Sequence, residues 1–159
     1  MKYLYAMMDD ETRYWIETEV ANTKYTADLK PLFKKTKSIA DKLPKTLVTD
    51  GADNFHAAFI EFWTRAIRDR PEHIQDIRMD GQIHNNKIER MNGELEKVMR
   101  TLERADTPIL SGMQIDHNYV RPHEALNGRT PSEAAGIKVQ GENKWLTLIQ
   151  NASHEIAKC

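Results

Sequence analysis

The sequence is poor in the features that mark secreted, disulfide-bonded or membrane-spanning proteins. It has one cysteine, Cys159, so it can form neither an internal disulfide nor a zinc site made of several thiolates. It has no apolar run of the length needed to cross a bilayer, and its first residues lack the pattern of a signal peptide. We therefore expect a protein of the reducing cytoplasm that does not enter a membrane.

The sequence also lacks an excess of charge of either sign. Its formal net charge is -1, although 30% of its 159 residues are charged. The charge of the whole chain therefore gives no argument for binding nucleic acid, and any such binding must depend on local basic patches. With 40% hydrophobic residues, the chain is long and apolar enough for one globular domain with a sizeable core.

The first half alternates between patterns typical of strands and patterns typical of helices. Residues 2–8 and 13–20 are predicted to be the two strands of a hairpin, joined by a polar turn. The elements that follow are a helix at 23–43, a strand at 46–49, a helix at 53–69 and a short edge strand within 73–79. This order, β-β-α-β-α-β, predicts an α/β fold in which a helix crosses over between strands.

The second half is mainly helical in pattern. A helix is predicted at residues 85–104 because its apolar residues recur every three or four positions. They are Ile88, Met91, Leu95, Val98 and Leu102. Three shorter helical segments follow: one from residue 107 to about 118, one that starts at a capping box at 130–133, and one from about 143. We expect Trp15, Trp63 and Trp145 to pack in the core.

Two carboxylates stand where a metal site can form. Asp50 follows the apolar strand at 46–49, and Glu89 lies in the first turns of the helix at 85–104. In an open α/β sheet, ligand sites lie beyond the carboxyl ends of the strands. Carboxylate oxygens there are ligands for Mg²⁺ or Mn²⁺, ions that promote phosphodiester cleavage and transfer. The alternative is a local role, in which Asp50 holds a turn and Glu89 offsets the helix dipole.

Polar residues around Glu89 are candidates for contacts with DNA. Asn85 and Asn86 could touch a phosphate, although capping of the helix is the stronger interpretation. Cations on the polar side of the same helix could neutralise phosphates, or could equally pair with glutamates one turn away. They are Lys87, Arg90, Lys97 and Arg100. Asp9 and Asp10, in the hairpin turn, are expected to form local hydrogen bonds.

Several stretches together resemble a known family. The hairpin at residues 2–20, LVTDG at 47–51 and NNKIERMN at 85–92 are similar to three parts of DDE transposases and retroviral-type integrases. Those parts are the family's hairpin, its second catalytic aspartate and the helix that bears its glutamate. The stretch YVRPHEALNGRTPSEAAG at 119–136 is similar to the tail of many insertion-sequence transposases of archaea and bacteria. The resemblance covers nearly the whole chain.

The resemblance implies an RNase H-like fold, a mixed sheet flanked by helices, with extra C-terminal helices. It implies cleavage and transfer of DNA strands with Mg²⁺ or Mn²⁺, by a homo-oligomer that brings transposon ends together. Asp50 and Glu89 then correspond to catalytic residues that bind the metal. Arg121 and His123 match the tail motif without a catalytic role, and we expect them to pack around Pro122.

In one respect the sequence departs from this family. The family's first catalytic aspartate lies on a central strand that precedes the hairpin, whereas this sequence begins at the hairpin. We therefore expect residues 1–136 to form a partial catalytic core without that strand, which leaves unpaired edges in the sheet. Residues 137–159 are expected to be a helical extension of the same domain. Without the third carboxylate, the chain is expected to lack full catalytic activity.

Two other functions stay open. The chain could be a non-catalytic remnant that binds DNA or multimerises and regulates a full-length transposase, in which case Asp50→Asn would be tolerated. It could also be an RNase H-like nuclease that acts on another nucleic acid, which the missing carboxylate also counts against. A metal ion bound near Asp50 and Glu89 would distinguish an enzyme from the regulatory remnant.

Overall fold

The computed structural model describes residues 3–40, 43–63, 70–75, 88, 90–91, 93 and 107–156. The chain forms two compact units. The first unit comprises Met1–Met8 and Ile16–Ala105, and the second comprises Asp9–Trp15 and Asp106–Cys159. None of the helices in these described ranges is long and apolar enough to cross a membrane.

The predicted hairpin is present. Strands β1 (Tyr3–Met8) and β2 (Trp15–Ala21) pair with each other. Asp9 holds the turn between them, since its carboxylate accepts hydrogen bonds from the Thr12 amide at 2.8 Å and from the Thr12 hydroxyl at 2.6 Å. The local role expected for Asp9 is therefore confirmed.

Helices and strands then alternate along the chain. Helix α1 (Thr26–Ala40) is followed by strand β3 (Thr46–Thr49), helix α2 (Asp53–Trp63) and strand β4 (Glu72–Gln75). The predicted order of elements, β-β-α-β-α-β, is confirmed for this part of the chain. Helix α1 begins three residues after the predicted position, and Pro31 lies inside it.

One hydrophobic core joins the elements of the first unit. Within each helix its members are one, three or four residues from the next, which places them on one face. Strand β1 contributes Tyr5, and Tyr3 and Met7 pack against the core from the same face of the strand, because successive side chains in a strand point to opposite faces. The buried members of the core are Tyr5, Ala21, Leu29, Leu32, Phe33, Ala58, Phe59 and Trp63.

Strands β3 and β4 are parallel neighbours. Thr46 lies opposite Glu72 and Thr49 opposite Gln75, so both strands end at the same edge. Among the residues that the structure describes, the four strands form two separate pairs, β1-β2 and β3-β4. The mixed α/β architecture is therefore confirmed, while the RNase H-like arrangement and the missing central strand stay predictions.

The helix predicted at residues 85–104 is described at a few positions. Ile88, Arg90, Met91 and Gly93 have a helical backbone. Met91 is buried, as its place in the apolar stripe predicts. The other residues of this predicted helix lie outside the described part of the chain.

The second unit contains a rare type of helix. Helix α3 (Thr107–Ile115) continues directly into a π-helix at Asp116–Val120, a form that often marks functional or strained positions. The π-helix buries Asn118, whose side-chain oxygen accepts a hydrogen bond from the Trp15 amide and whose side-chain nitrogen donates to the Trp15 carbonyl, both at 2.8 Å. The Asn118 side chain thus forms the same pair of hydrogen bonds with the Trp15 backbone that a residue in a neighbouring strand would form.

The short helix α4 (Pro131–Ala134) begins with the predicted capping box. The Thr130 hydroxyl accepts a hydrogen bond from the Glu133 amide at 3.3 Å, and the Glu133 carboxylate accepts one from the Thr130 amide at 2.9 Å. The chain then turns at Gly136, whose φ is 85°. Both ends of this helix therefore follow the sequence signals.

Helix α5 (Lys144–Ile156) matches the amphipathic segment predicted from about residue 143. Its Trp145 is 38% exposed, whereas Trp15 and Trp63 are buried. The prediction that Trp145 packs in the core was therefore wrong. The physical reason lies in the helix, none of whose residues is buried, so its apolar face is only partly covered.

Candidate functional site

Asp50 lies at the carboxyl end of a strand, as predicted. It follows β3 directly and precedes the turn into α2. Gly51 has a φ of 80°, a conformation that strains residues with a side chain, so the glycine allows the chain to turn here. The Asp50 side chain is exposed, and its Oδ1 accepts a hydrogen bond from the Ala52 amide at 3.1 Å. The local turn role is thus present, and it uses one of the two carboxylate oxygens.

A histidine on the neighbouring strand reaches the residue before Asp50. The Nε2 of His73, in β4, lies 3.0 Å from the hydroxyl of Thr49, which is buried. The Nδ1 of His73 lies 3.3 Å from the Nδ1 of His56, in α2. His73 therefore contacts both the strand that precedes Asp50 and the helix that follows it.

His73 is a neutral side chain at pH 7. Burial lowers its pKa, and electrostatic interactions with His56 and with the guanidinium of Arg70 lower it further. Because the ordinary value is about 6.5, the imidazole carries one proton, so one ring nitrogen donates a hydrogen bond and the other accepts.

A tyrosine hydroxyl also lies close to this turn. Tyr5 accepts a hydrogen bond from the side-chain amide of Asn54, in the first turn of α2, at 3.3 Å. Burial raises the pKa of Tyr5, the bond from Asn54 lowers it, and the negative charges of Asp28 and Asp50 raise it again. Tyr5 therefore stays protonated at neutral pH and adds no charge beside Asp50.

Most of the other predicted site residues lie outside the described part of the chain. Arg90 is described, and it is exposed on a helical stretch. The residues outside are Glu89, Asn85, Asn86, Lys87, Lys97 and Arg100. The convergence of Asp50 and Glu89 on one metal ion therefore stays a prediction.

The chemistry of Asp50 fits a hard divalent cation. Its carboxylate is negatively charged and exposed, and carboxylate oxygens are the ligands that Mg²⁺ and Mn²⁺ prefer. Among the residues that the structure describes, no three His, Cys, Asp or Glu side chains lie close enough together to hold a metal ion. Asp50 is therefore a candidate for a single ligand of such an ion.

Three residues beside Asp50 were not predicted as part of this site: Thr49, His56 and His73. The LVTDG stretch indicated the strand end correctly. The neighbour of that strand depends on the register of β4, in which His73 stands opposite Leu47. A histidine in a short strand was the available signal, and alone it does not differ from a histidine that packs in a core.

The tail motif at residues 119–136 forms contacts within the second unit. Arg121 makes an ion pair with Asp116 at 3.1 Å. His123 packs against His117 with ring centroids 4.7 Å apart. Both residues of the motif that the sequence singled out therefore have structural partners.

Comparison with known families gives a match over most of the chain. A family model described as a DDE domain matches residues 1–109, of 159 residues in total. The matched stretch contains strands β1 to β4, Asp50 and the position of Glu89. Comparison with curated proteins gave no match.

Proposed function

The chain belongs to the DDE-domain family of transposases, and on this premise we propose that it takes part in the cleavage and joining of DNA strands in transposition. One observation carries the proposal: the exposed carboxylate of Asp50 stands at the carboxyl end of a parallel strand, inside the matched residues. This is the position at which open α/β sheets bind their ligands.

Asp50 and Glu89 would hold the divalent ion, Mg²⁺ or Mn²⁺, through carboxylate oxygens. When bound, such an ion activates a water or hydroxyl nucleophile and stabilises the charge on the leaving oxygen. The contribution of the chain itself is to bind and orient. The Ala52 amide holds one oxygen of Asp50 at 3.1 Å, which limits rotation of the carboxylate and so reduces the entropy lost on binding.

The proposed partner is DNA, bound by a homo-oligomer. Arg90 is exposed and follows Glu89 directly in the sequence, so a phosphate bound there would lie near the metal ligands. Because the net charge of the chain is -1, a small number of local cations must supply the attraction. The other residues proposed for this surface are Asn85, Asn86, Lys87, Lys97 and Arg100.

Asp50→Asn tests the proposal most directly. The purified chain is incubated with supercoiled DNA and Mg²⁺ or Mn²⁺, and nicked and joined products are measured over time. An amide is a neutral and weaker ligand than a carboxylate, so we expect the rate to fall about 100-fold or more, equivalent to about 2.7 kcal/mol in the transition state. Glu72→Gln is the control, because Glu72 is an exposed carboxylate at the opposite end of the strand pair.

The outcome also distinguishes the two leading functions. Equal cleavage by Asp50→Asn and by the wild type would contradict the role assigned to Asp50. Wild-type protein that binds DNA but never cleaves it, with the same binding in Asp50→Asn, would instead favour the regulatory remnant.

A further inference from the structure

His73 connects the two sides of the turn that carries Asp50. Strands β3 and β4 place Leu47 opposite His73, and side chains two residues apart in a strand share a face. His73 therefore reaches along this face to Thr49, whose hydroxyl lies 3.0 Å from its Nε2. On the other side of the turn, the Nδ1 of His56 lies 3.3 Å from the Nδ1 of His73.

The imidazole of His73 is held in a fixed plane. It stacks on the buried ring of Phe59 with centroids 4.5 Å apart and 29° between the planes. The guanidinium of Arg70 lies 4.9 Å from the centroid of the same Phe59 ring. Phe59 is one helical turn after His56, so α2 supplies both the stacking surface and one hydrogen-bond partner. The ring of His73 cannot turn away without losing contacts to α2 and to β3 together.

Both hydrogen bonds are compatible with a neutral ring. In one arrangement the Thr49 hydroxyl donates to Nε2 of His73, and Nδ1–H of His73 donates to His56. In the other, His56 donates to Nδ1, and Nε2–H donates to the Thr49 hydroxyl. Each arrangement needs both ring nitrogens, so a ring of similar shape without nitrogens would keep the stacking and lose both bonds.

We propose that His73 is a positioning residue: its hydrogen bonds to Thr49 and to His56 of α2 fix the position of the Asp50 carboxylate. The role rests on the proposed function, because it matters for chemistry only when Asp50 binds a metal ion. The local structure explains the need. Strand β3 has 4 residues, and Gly51 gives the turn a conformational freedom that a residue with a side chain would restrict.

Two substitutions at residue 73 separate hydrogen bonding from packing. His73→Phe keeps a flat ring against Phe59 and removes both nitrogens, whereas His73→Gln loses the ring and supplies an amide that can donate and accept. The Mn²⁺ affinity of the full chain is measured from the electron paramagnetic resonance signal of free Mn²⁺, well below the melting temperature of each variant. We expect His73→Phe to bind Mn²⁺ about tenfold more weakly and His73→Gln to recover most of the loss.

Further variants test the route through Thr49. Thr49→Val should also weaken Mn²⁺ binding, and combining it with His73→Phe should add little, since both remove the same hydrogen bond. His154→Phe is the matched control, because it makes the same change at an exposed histidine of α5, and it should bind Mn²⁺ like the wild type. Without metal, exchange of the Ala52 amide, measured by NMR, should be about tenfold faster in His73→Phe.

The order of the two variants decides the outcome. If His73→Gln binds Mn²⁺ more weakly than His73→Phe, the ring serves packing alone and the proposal is wrong. It is also wrong if both variants bind like the wild type while Asp50→Asn does not, a result that leaves the metal-binding role of Asp50 intact. If the wild type has no Asp50-dependent site for Mn²⁺, the proposed function fails, and the positioning role fails with it.

Discussion

At the scale of single residues, side chains of the second unit form hydrogen bonds with the backbone at the tip of the hairpin. Asn118 bonds both the amide and the carbonyl of Trp15 at 2.8 Å, and Gln114 donates to the same carbonyl at 2.9 Å. The ring of His117 lies 2.9 Å from the carbonyl oxygen of Arg13, a residue whose φ is 58°. A non-glycine residue with this φ is strained, so the contact with His117 stabilises a backbone conformation that is unfavourable by itself.

Asn118→Leu measures the strength of this attachment. The substitution keeps a side chain of similar size but leaves the buried Trp15 amide without its hydrogen-bond acceptor. The Trp15 carbonyl still accepts a hydrogen bond from Gln114. We expect the free energy of unfolding to fall by about 2 kcal/mol, measured by urea denaturation. Asn151→Leu, at an exposed position of α5, is the control. Equal stability of Asn118→Leu and the wild type would contradict the role assigned to Asn118.

His123 is expected to make the protein less stable in mild acid. Burial lowers its pKa, and the positive charges of His117, Arg13 and Arg121 lower it further, against a hydrogen bond to the His117 backbone that raises it. The ordinary value, about 6.5, applies to the unfolded chain, so the unfolded state binds more protons. The contribution of His123 to stability is therefore complete above pH about 6.5 and is lost as the pH falls below it.

The measurement compares urea midpoints of the wild type and His123→Asn between pH 8 and pH 5. The variant should lose less stability over this range, because it removes the group that is protonated on unfolding. His73 also has a lowered pKa, but it is present in both proteins, so the difference reports His123. The same loss in both proteins would show that His123 does not cause the acid sensitivity.

At the scale of helices and strands, the elements predicted correctly are those with local sequence signals. The capping box at Thr130 and Glu133, the hairpin turn at Asp9 and the short β-branched strand before Asp50 each depend on residues within a few positions of one another. The π-helix at Asp116–Val120 was not predicted. Its buried residue, Asn118, bonds a residue 103 positions away, and periodicity within the segment gives no sign of that contact.

Thr130→Ala is expected to destabilise the second unit through the start of α4. Thr130 is 1% exposed, and its hydroxyl accepts the hydrogen bond of the Glu133 amide. Loss of such a cap costs about 1 kcal/mol, which thermal unfolding detects. Ser153→Ala, at an exposed position in the last turn of α5, is the control and should be close to neutral. A Thr130→Ala protein as stable as the control would mean that the cap contributes nothing.

At the scale of the whole molecule, the sequence predicted the strand end before Asp50 better than the contacts around that strand end. The location of Asp50 at the end of a strand was predictable because the strand, the turn and the carboxylate are adjacent in the chain. The contact of His73 with Thr49 required the register between β3 and β4, and pairing between strands separated by a helix is set by tertiary packing. The hairpin tip, Asp9–Trp15, belongs to the second unit, because its hydrogen bonds are formed with His117 and Asn118, 104 and 103 positions later in the sequence. Local sequence patterns could not predict this either.

The net charge of the whole molecule predicts how DNA binding should respond to salt. At a net charge of -1, the attraction to DNA must come from a few cations. Each phosphate contacted by a cation makes the fall of log K with log salt steeper by about 0.9. Arg90→Gln should weaken binding uniformly across DNA sequences and make the slope shallower by about 1. Lys138→Gln, an exposed cation of the second unit, is the control for a general change in charge. If Arg90→Gln and Lys138→Gln change the slope by the same amount, the salt dependence of DNA binding reflects the overall charge of the protein. That result would contradict a direct contact between Arg90 and a phosphate.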